Sequence, residues 1–251
     1  MKKITSICLF SIIITLIFNI NSISAEEKGD YTLIEEYEED VTGDHINETI
    51  KLYGIFLSSD SNFYRDIYAL IETKNNQKWE INYIGGYNPK LEFIDITQNG
   101  INEILFQSAT GRSNELYNYT LHTIQHNELN ELELPFQSVS GAFINDFQAE
   151  LYITSNTKPI IMDLKERAEE YIRSGIYNEH GNLPKRTSLL IDSIAFFEPL
   201  LISKSKGYGL KSYQQINGID HDDPLGTIET LWYYQDDDWI ILQTDWKQKY
   251  K

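Results

Sequence analysis

The sequence predicts a mainly β protein: a small or irregular propeller-like array of antiparallel strands, with one short helix near residues 164–174. Short runs of strand-forming residues separated by turn residues recur along the chain, for example at residues 67–71, 79–84 and 117–124. Similar motifs begin near residues 40, 95, 145 and 192, at intervals of about 50 residues that are typical of propeller blades. The runs of strand-forming residues therefore predict a mainly β fold, and the regular spacing of the motifs predicts the propeller-like array.

The first 25 residues have the parts of a secretory signal peptide. Lys2 and Lys3 precede an apolar run at residues 7–18, and small residues lead up to Ala25. The apolar run is short for a membrane span, so we predict cleavage, secretion and no stable membrane insertion afterwards. Cys8 is the only cysteine and lies inside this segment, so the mature chain has no disulfide.

Residues 26–39 are acidic and are predicted to be a leader, and residues 40–251 are predicted to form a single β-rich domain. The chain has 38 acidic and 21 basic residues, and its net charge is −17. Nucleic-acid binding is excluded, because phosphate contacts need clustered Lys and Arg. We expect an extracellular or envelope ligand of unknown identity instead.

The helix and a final hairpin are the clearest local elements. Asp163 and Glu166 have the spacing of a helix capping box, and Gly175 is a plausible end of the helix. Residues 227–234 and 239–246 read as strands joined by turn-forming residues 235–238. The helix is expected to pack on the sheet rather than to carry a function.

Two nine-residue segments, 40–48 and 95–103, give the sharpest chemical signal. Each has oxygen-bearing side chains at positions one, three, five and nine, and an apolar strand follows. Calcium takes roughly six to eight oxygen ligands, which this alternation provides together with the carbonyl of position seven. The predicted ligands of a structural calcium ion are Asp40, Thr42, Asp44, Ile46, Glu48, Asp95, Thr97, Asn99, Ile101 and Glu103. An Asx turn without metal is the alternative for both loops.

The spacing resembles the calcium loops of FG-GAP and VCBS-type repeats, as in integrin-like β-propellers, whose pattern is roughly Asp-x-Asn-Gly-Asp-Gly-x-x-Asp/Glu before a strand. Thr42, His45 and Asn99 depart from that pattern. The resemblance covers only the two loops and the strands beside them, and it implies a calcium-bearing extracellular module. The whole chain also resembles secreted proteins of unknown function from Bacillus-type, Gram-positive bacteria, which implies a secreted or cell-surface location.

Signals for an enzyme are weaker. The sequence has no nucleophile elbow and no phosphate-binding glycine loop. Residues 220–223, Asp-His-Asp-Asp, read as a solvated turn, a third cation site or a carboxylate–histidine pair. Arg112 and Tyr208 lie in polar or glycine-containing segments and are candidate ligand-binding residues.

We therefore expect a calcium-stabilised, non-enzymatic binding or surface-associated module. The alternative is a secreted hydrolase that acts on cell-wall polymer or carbohydrate. That alternative requires a pocket with two convergent carboxylates, or with a carboxylate and a histidine.

Overall fold

Three antiparallel sheets and one short helix form the part of the chain that the computed structural model describes, residues 31–111, 116–153 and 158–249. The predicted signal segment and Arg112 lie outside these residues. Within these ranges, no helix is long and apolar enough to cross a membrane. The prediction of a mainly β fold with one short helix is confirmed.

The largest sheet has seven strands that follow one another in sequence and pair with their neighbours. They are β1 (Thr32–Glu39), β2 (Glu48–Phe56), β3 (Phe63–Glu72), β4 (Lys78–Ile94), β5 (Glu103–Ala109), β6 (Tyr117–Gln125) and β7 (Glu128–Leu132). β1 and β4 are not neighbours in the sheet, yet Tyr37 of β1 packs edge-on against Phe93 of β4, with ring centroids 5.2 Å apart. The sheet is therefore curled. The inside of the curl holds the first core, to which β2 contributes Ile50 and Leu52.

β1 corrects the prediction that residues 26–39 are a leader outside the domain. This strand pairs with β2 along its length, and Ile34 and Tyr37 pack against the first core. A register shift between Leu33 and Glu35 breaks the strict alternation by which sequence marks a strand. Most glutamates of this edge strand face solvent, where charge discourages pairing with other chains.

The other two sheets are smaller. One has β8 (Ser140–Ile144), β9 (Gln148–Tyr152) and β10 (Ile160–Asp163), and the other has β11 (Leu190–Ser203), β12 (Gly207–Asn217), β13 (Pro224–Gln235) and β14 (Asp238–Gln248). β13 and β14 confirm the predicted hairpin. Asp236 and Asp237 both have positive φ in its two-residue turn, which matches the twist of the strands.

The described residues do not form the predicted propeller-like array. Sheets of seven, three and four strands are not a ring of equivalent blades. The third and fourth copies of the repeat also fail. Near residue 145, Asp146 and Phe147 make a tight turn between β8 and β9, and Asp192 lies inside β11. A period of about 50 residues arose from isoleucine- and leucine-rich strands that happen to recur at that spacing.

The helix lies where the sequence predicts it, but the predicted capping box is wrong: the N-cap residues are Leu164 and Arg167, and neither makes a side-chain capping hydrogen bond. A 3₁₀ turn, Lys165–Arg167, leads into α1 (Ala168–Arg173), and Asp163 Oδ1 accepts a hydrogen bond from Lys165 N at 2.9 Å. Gly175 follows the helix with φ +76°, which confirms it as the stop. Tyr171 is buried in the second core, which fills the space between the helix, the three-stranded sheet and one end of the four-stranded sheet.

A third core joins the seven-stranded and four-stranded sheets. Leu105 and Leu121 of the larger sheet belong to the same buried group as Phe197, Leu210 and Trp232 of the smaller one; every residue of β5 is buried. Gln107 Oε1 accepts a hydrogen bond from Phe197 N at 3.1 Å. This junction fixes the middle of β11, next to Ala195 and Phe196 of the candidate site.

Candidate functional site

The two predicted loops share one backbone conformation. Positions four and six have positive φ in both: Gly43 and His45 in the first loop, and Gln98 and Gly100 in the second. Each loop thus has its glycine at a different one of the two left-handed positions, where glycine is least strained. The sequence repeat is therefore a structural repeat for these two copies.

The side-chain hydrogen bonds of the loops also correspond. At position one, Asp40 and Asp95 each accept two backbone N–H groups, at 2.7–3.1 Å. At position five, Asp44 and Asn99 each accept the N–H of position seven, at 2.8 Å. These carboxylate and amide groups close the loops on themselves, as in Asx turns.

The two loops lie against each other. A Cβ built on Gly43 would come within 2.7 Å of Ile101 Cγ1, so the first loop approaches the second too closely for any side chain at that position. Ile101 stands at position seven of the second loop. The starts of β2 and β5 are therefore held together by direct packing.

Position nine departs from the prediction. Glu48 is only 1% exposed, and its carboxylate accepts hydrogen bonds from Val41 N at 3.0 Å and from Thr42 Oγ1 at 3.3 Å. Burial is the main cause that raises the pKa of the Glu48 carboxyl, and the charges of Asp44 and Asp40 raise it further. The side chain turns inward and caps the start of its own strand.

Glu103 makes the same contacts in the second loop and is fully buried. Its Oε2 accepts from Ile96 N at 2.7 Å and from Thr97 N at 3.1 Å. Its Oε1 accepts from the hydroxyls of Thr97 and Thr123, at 2.9 and 3.5 Å. Burial raises the pKa of this carboxyl above its ordinary value, and the N–H donors oppose that shift.

The two loops differ in how much acceptor capacity the glutamate at position nine has left. A carboxylate offers about four acceptor positions, and Glu103 uses four on protein donors. Glu48 uses two, so the first loop keeps more free acceptor capacity. Across residues 31–111, 116–153 and 158–249, no three Asp, Glu, His or Cys side chains converge as a metal-ligand group. Oxygen spacing in the sequence does not reveal that position nine faces inward.

Of the two candidate ligand-binding residues, only Tyr208 is among the described residues. Arg112 lies outside the described residues. Tyr208 is partly exposed at the start of β12, and its carbonyl accepts a hydrogen bond from Gln98 Nε2 at 3.1 Å. Tyr208 therefore contacts the second loop and lies at the far end of β12 from Gln215.

A cleft of about 500 Å³ is a candidate ligand site in the described part of the chain. It lies where residue 116 meets the start of β11 and the adjoining ends of β12 and β13. Its lining residues are Leu116, Asp192, Ala195, Phe196, Tyr213, Gln215, His221 and Thr227. The walls are thus apolar on one side and polar on the other.

The polar side of the cleft is a connected row of side chains. Asp192 Oδ1 lies 3.0 Å from His221 Nδ1, and Asp192 Oδ2 accepts from Asn217 Nδ2 at 2.8 Å. Asn217 Oδ1 in turn accepts from Gln215 Nε2 at 2.8 Å. Asn217 is fully buried, whereas the His221 side chain is 71% exposed. The row therefore runs from the buried sheet to a solvent-accessible imidazole.

The aromatic side of the cleft is also fixed. The rings of Phe196 and Tyr213 stack with centroids 4.6 Å apart, and the Tyr213 hydroxyl donates to Glu198 at 2.6 Å. Lys211 lies over the Tyr213 ring at 5.0 Å and pairs with Glu229 at 2.8 Å. These contacts occupy the ring faces, so the wall offers a ligand mainly ring edges and aliphatic surface.

Asp220, His221 and Asp222 are exposed in a turn, as the sequence predicts, and His221 also pairs with a carboxylate that the local sequence does not indicate. Its carboxylate partner is Asp192, 29 positions earlier, and not a neighbour within residues 220–223. Of those neighbours, Asp223 is buried and pairs with Arg167 and with the Tyr171 hydroxyl. The pairing of β11 with β12 brings Asp192 close to Asn217, and no local pattern signals that proximity.

The fold and the cleft define an all-antiparallel β protein with a cleft on its C-terminal four-stranded sheet. A family model described as the YybI C-terminal domain matches residues 137–247, which include Asp192, Gln215, Asn217 and His221. The chain is also similar to the uncharacterized protein YybI of Bacillus subtilis (strain 168), with 26% identity over 203 residues that cover 76% of each chain.

Among solved structures, the chain is similar to the rhamnogalacturonan lyase PL11 of Bacillus licheniformis. The identity is 11% and the TM-score 0.38, and the match covers 86% of this chain. The chain corresponds to only 34% of the lyase's length. At this TM-score the likeness carries no argument about fold or activity.

These matches show that the resemblance to FG-GAP and VCBS-type repeats is wrong. The matching family model is the YybI C-terminal domain, and the curated relative is a YybI protein. The physical reason lies in the loops, where Asx turns and an inward glutamate require the same residue types that a calcium loop requires.

Proposed function

We propose that this protein is a secreted, non-enzymatic binding module of the cell envelope, and that its ligand binds in the cleft beside Asp192 and His221. The observation that carries the proposal is the connected row of polar side chains facing an apolar wall. Ligand sites are typically clefts of roughly 300–1,000 Å³ with apolar walls and a few fixed polar groups. A cleft of about 500 Å³ has that size and composition.

Two further features support binding rather than chemistry. Both oxygens of Asp192 are engaged, one by Asn217 and one by His221, so this carboxylate is fixed in place and is not free to act as a nucleophile or general base. Three members of the row, Asp192, Gln215 and Asn217, lie on β11 and β12, which keeps the geometry of a binding site constant.

We also propose calcium at the first loop only, as a weak structural ion that fixes the start of β2. Asp40 and Asp44 are the carboxylates that would hold it, with Thr42, Glu48 and the carbonyl of Ile46 nearby. Their acceptor capacity is only partly used by protein donors, in contrast to Glu103.

Sedimentation with purified cell-wall sacculi of Bacillus subtilis tests the binding proposal. We expect the wild type to pellet with the sacculi and His221→Ala to stay in the supernatant. The control is His180→Ala, which removes another exposed histidine that does not line the cleft. Failure of the folded wild type to pellet, or equal pelleting of His221→Ala, would overturn the proposal.

A hydrolase acting on wall polymer is the second candidate, and the Asp192–His221 pair is the observation that favours it. A carboxylate that fixes Nδ1–H leaves Nε2 of the imidazole as a general base for water. The same sacculi provide its test. Release of soluble reducing ends by the wild type, and not by Asp192→Asn, would establish hydrolysis, and the absence of release would reject it.

A further inference from the structure

We infer that the cleft selects ligands that carry a protonated amine. This inference rests on the proposed function and specifies the chemistry of its ligand. It begins at Asp192, whose side chain is only 10% exposed and whose ionised carboxylate accepts hydrogen bonds and donates none.

The carboxylate sets the direction of every hydrogen bond on one side of the row. Asn217 must present its NH₂ group to Asp192, so its amide oxygen faces Gln215. Gln215 must then present its own NH₂ group to Asn217. The oxygen of Gln215 is therefore left as the acceptor that this residue can offer to the cleft.

The same logic applies on the other side of the row. His221 Nδ1 lies 3.0 Å from Asp192 Oδ1, so Nδ1 carries the proton in this contact. In a neutral imidazole, Nε2 then has an exposed lone pair and acts as an acceptor. Both ends of the row thus offer acceptors, and the carboxylate between them has lone pairs to spare.

A set of acceptors around a buried negative charge binds a cation with several N–H donors. A primary ammonium has three donors, which match Gln215 Oε1, His221 Nε2 and the Asp192 carboxylate. Thr227 offers a hydroxyl that suits either role. Lys211 does not oppose a bound cation, because Glu229 pairs with it at 2.8 Å.

The surroundings favour the same class of ligand. The chain's net charge of −17 attracts cations and disfavours phosphate or carboxylate ligands. Leu116, Ala195 and Phe196 give an apolar wall that suits the carbon skeleton bearing the amine. That skeleton is either an aliphatic chain or an amino sugar, and the amine is the group common to both.

Calorimetric titration with matched pairs of small molecules tests the inference and separates the two sources. One pair is glucosamine and glucose, and the other is 1,5-diaminopentane and 1,5-pentanediol. We expect the amine of at least one pair to bind at least tenfold more tightly than its hydroxyl partner. The pair that shows the larger difference identifies the source. Equal affinities within both pairs, or no binding of either amine, would refute the inference.

A variant that places a positive charge at the end of the row sharpens this test. His221→Lys replaces an exposed acceptor with a cation, at a position where the side chain has room in solvent. We expect it to lose at least tenfold in affinity for the amine, whereas His180→Ala keeps the affinity of the wild type. Unchanged amine binding by His221→Lys would contradict the proposed acceptor role.

Acetylated sacculi distinguish this inference from the proposed function. Acetylation removes the charge of free amines on the wall and should abolish pelleting of the wild type. If acetylated sacculi still retain the wild type and His221→Ala still fails to bind, the amine inference fails and the binding module stands. If small amines bind in the cleft but untreated sacculi do not, the ligand chemistry stands and the envelope ligand fails.

Discussion

Replacing Glu103 with alanine is expected to lower the free energy of unfolding by about 2–6 kcal/mol. The change leaves the N–H groups of Ile96 and Thr97 without their acceptor inside the protein. Each buried donor that loses its partner costs roughly 1–3 kcal/mol, and the two together give this range. The space vacated by the side chain adds to the loss.

Glutamine at position 103 is the informative control. Its amide oxygen can accept the N–H groups of Ile96 and Thr97, and its NH₂ group can donate to the hydroxyls of Thr97 and Thr123 once these rotate. We therefore expect Glu103→Gln to stay within about 1 kcal/mol of the wild type at neutral pH. A metal ligand would not tolerate this change.

Urea unfolding followed by tryptophan fluorescence measures both variants, with and without a chelator. Glu128→Ala, at an exposed position in β7, gives the effect of removing a glutamate from the surface. A loss of less than about 1 kcal/mol for Glu103→Ala would refute the capping role. So would a chelator that destabilises the wild type as much as the alanine substitution does.

Three further predictions use the same unfolding measurements. Gly43→Ala should lower the free energy of unfolding by about 1–3 kcal/mol more than Gly100→Ala does. Both positions have positive φ, but only a side chain at position 43 would clash with Ile101. Equal losses of stability would contradict the packing between the loops. Burial raises the pKa of the Glu103 carboxyl, so the ionised carboxylate destabilises the folded state. As the pH falls from 7 towards 4.5, the ordinary pKa of a glutamate, the wild type should therefore gain stability relative to Glu103→Gln. A stability difference that does not change with pH would show that the carboxyl is not desolvated. Calcium at about 5 mM should raise the Tm of the wild type by about 2–4 °C through the first loop, and the same rise in Asp44→Ala would remove that site.

Local patterns in the sequence predicted the elements that depend on local interactions. The helix near residues 164–174 has its periodicity and its glycine stop within a few residues, and the hairpin of β13 and β14 has its turn residues between its strands. β1 was missed because a bulge at Leu33 disrupts its alternation, and because its glutamates resemble a solvated tail. The shared conformation of the two loops was visible as a repeat, since both use the same turn chemistry.

What the sequence did not reveal depends on direction and on distant contacts. The glutamates at position nine have the spacing of ligands, but only the packing of β2 and β5 decides that they face the backbone of their own loops. The cleft joins Asp192 to Asn217 and His221 through the register of β11 and β12, including its bulges. Such pairings are set by the whole sheet, so residues 220–223 by themselves predict the exposed turn but not the contact of His221 with Asp192.

The third core bears on whether the family-matched stretch is autonomous. Residues 137–247 contain Phe197, Leu210 and Trp232, but the side chains that cover them, Leu105 and Leu121, come from the seven-stranded sheet before that stretch. Severed at residue 137, the C-terminal part would present this apolar face to water. The two parts therefore form one cooperative unit, in which the seven-stranded sheet covers the apolar face of the four-stranded sheet.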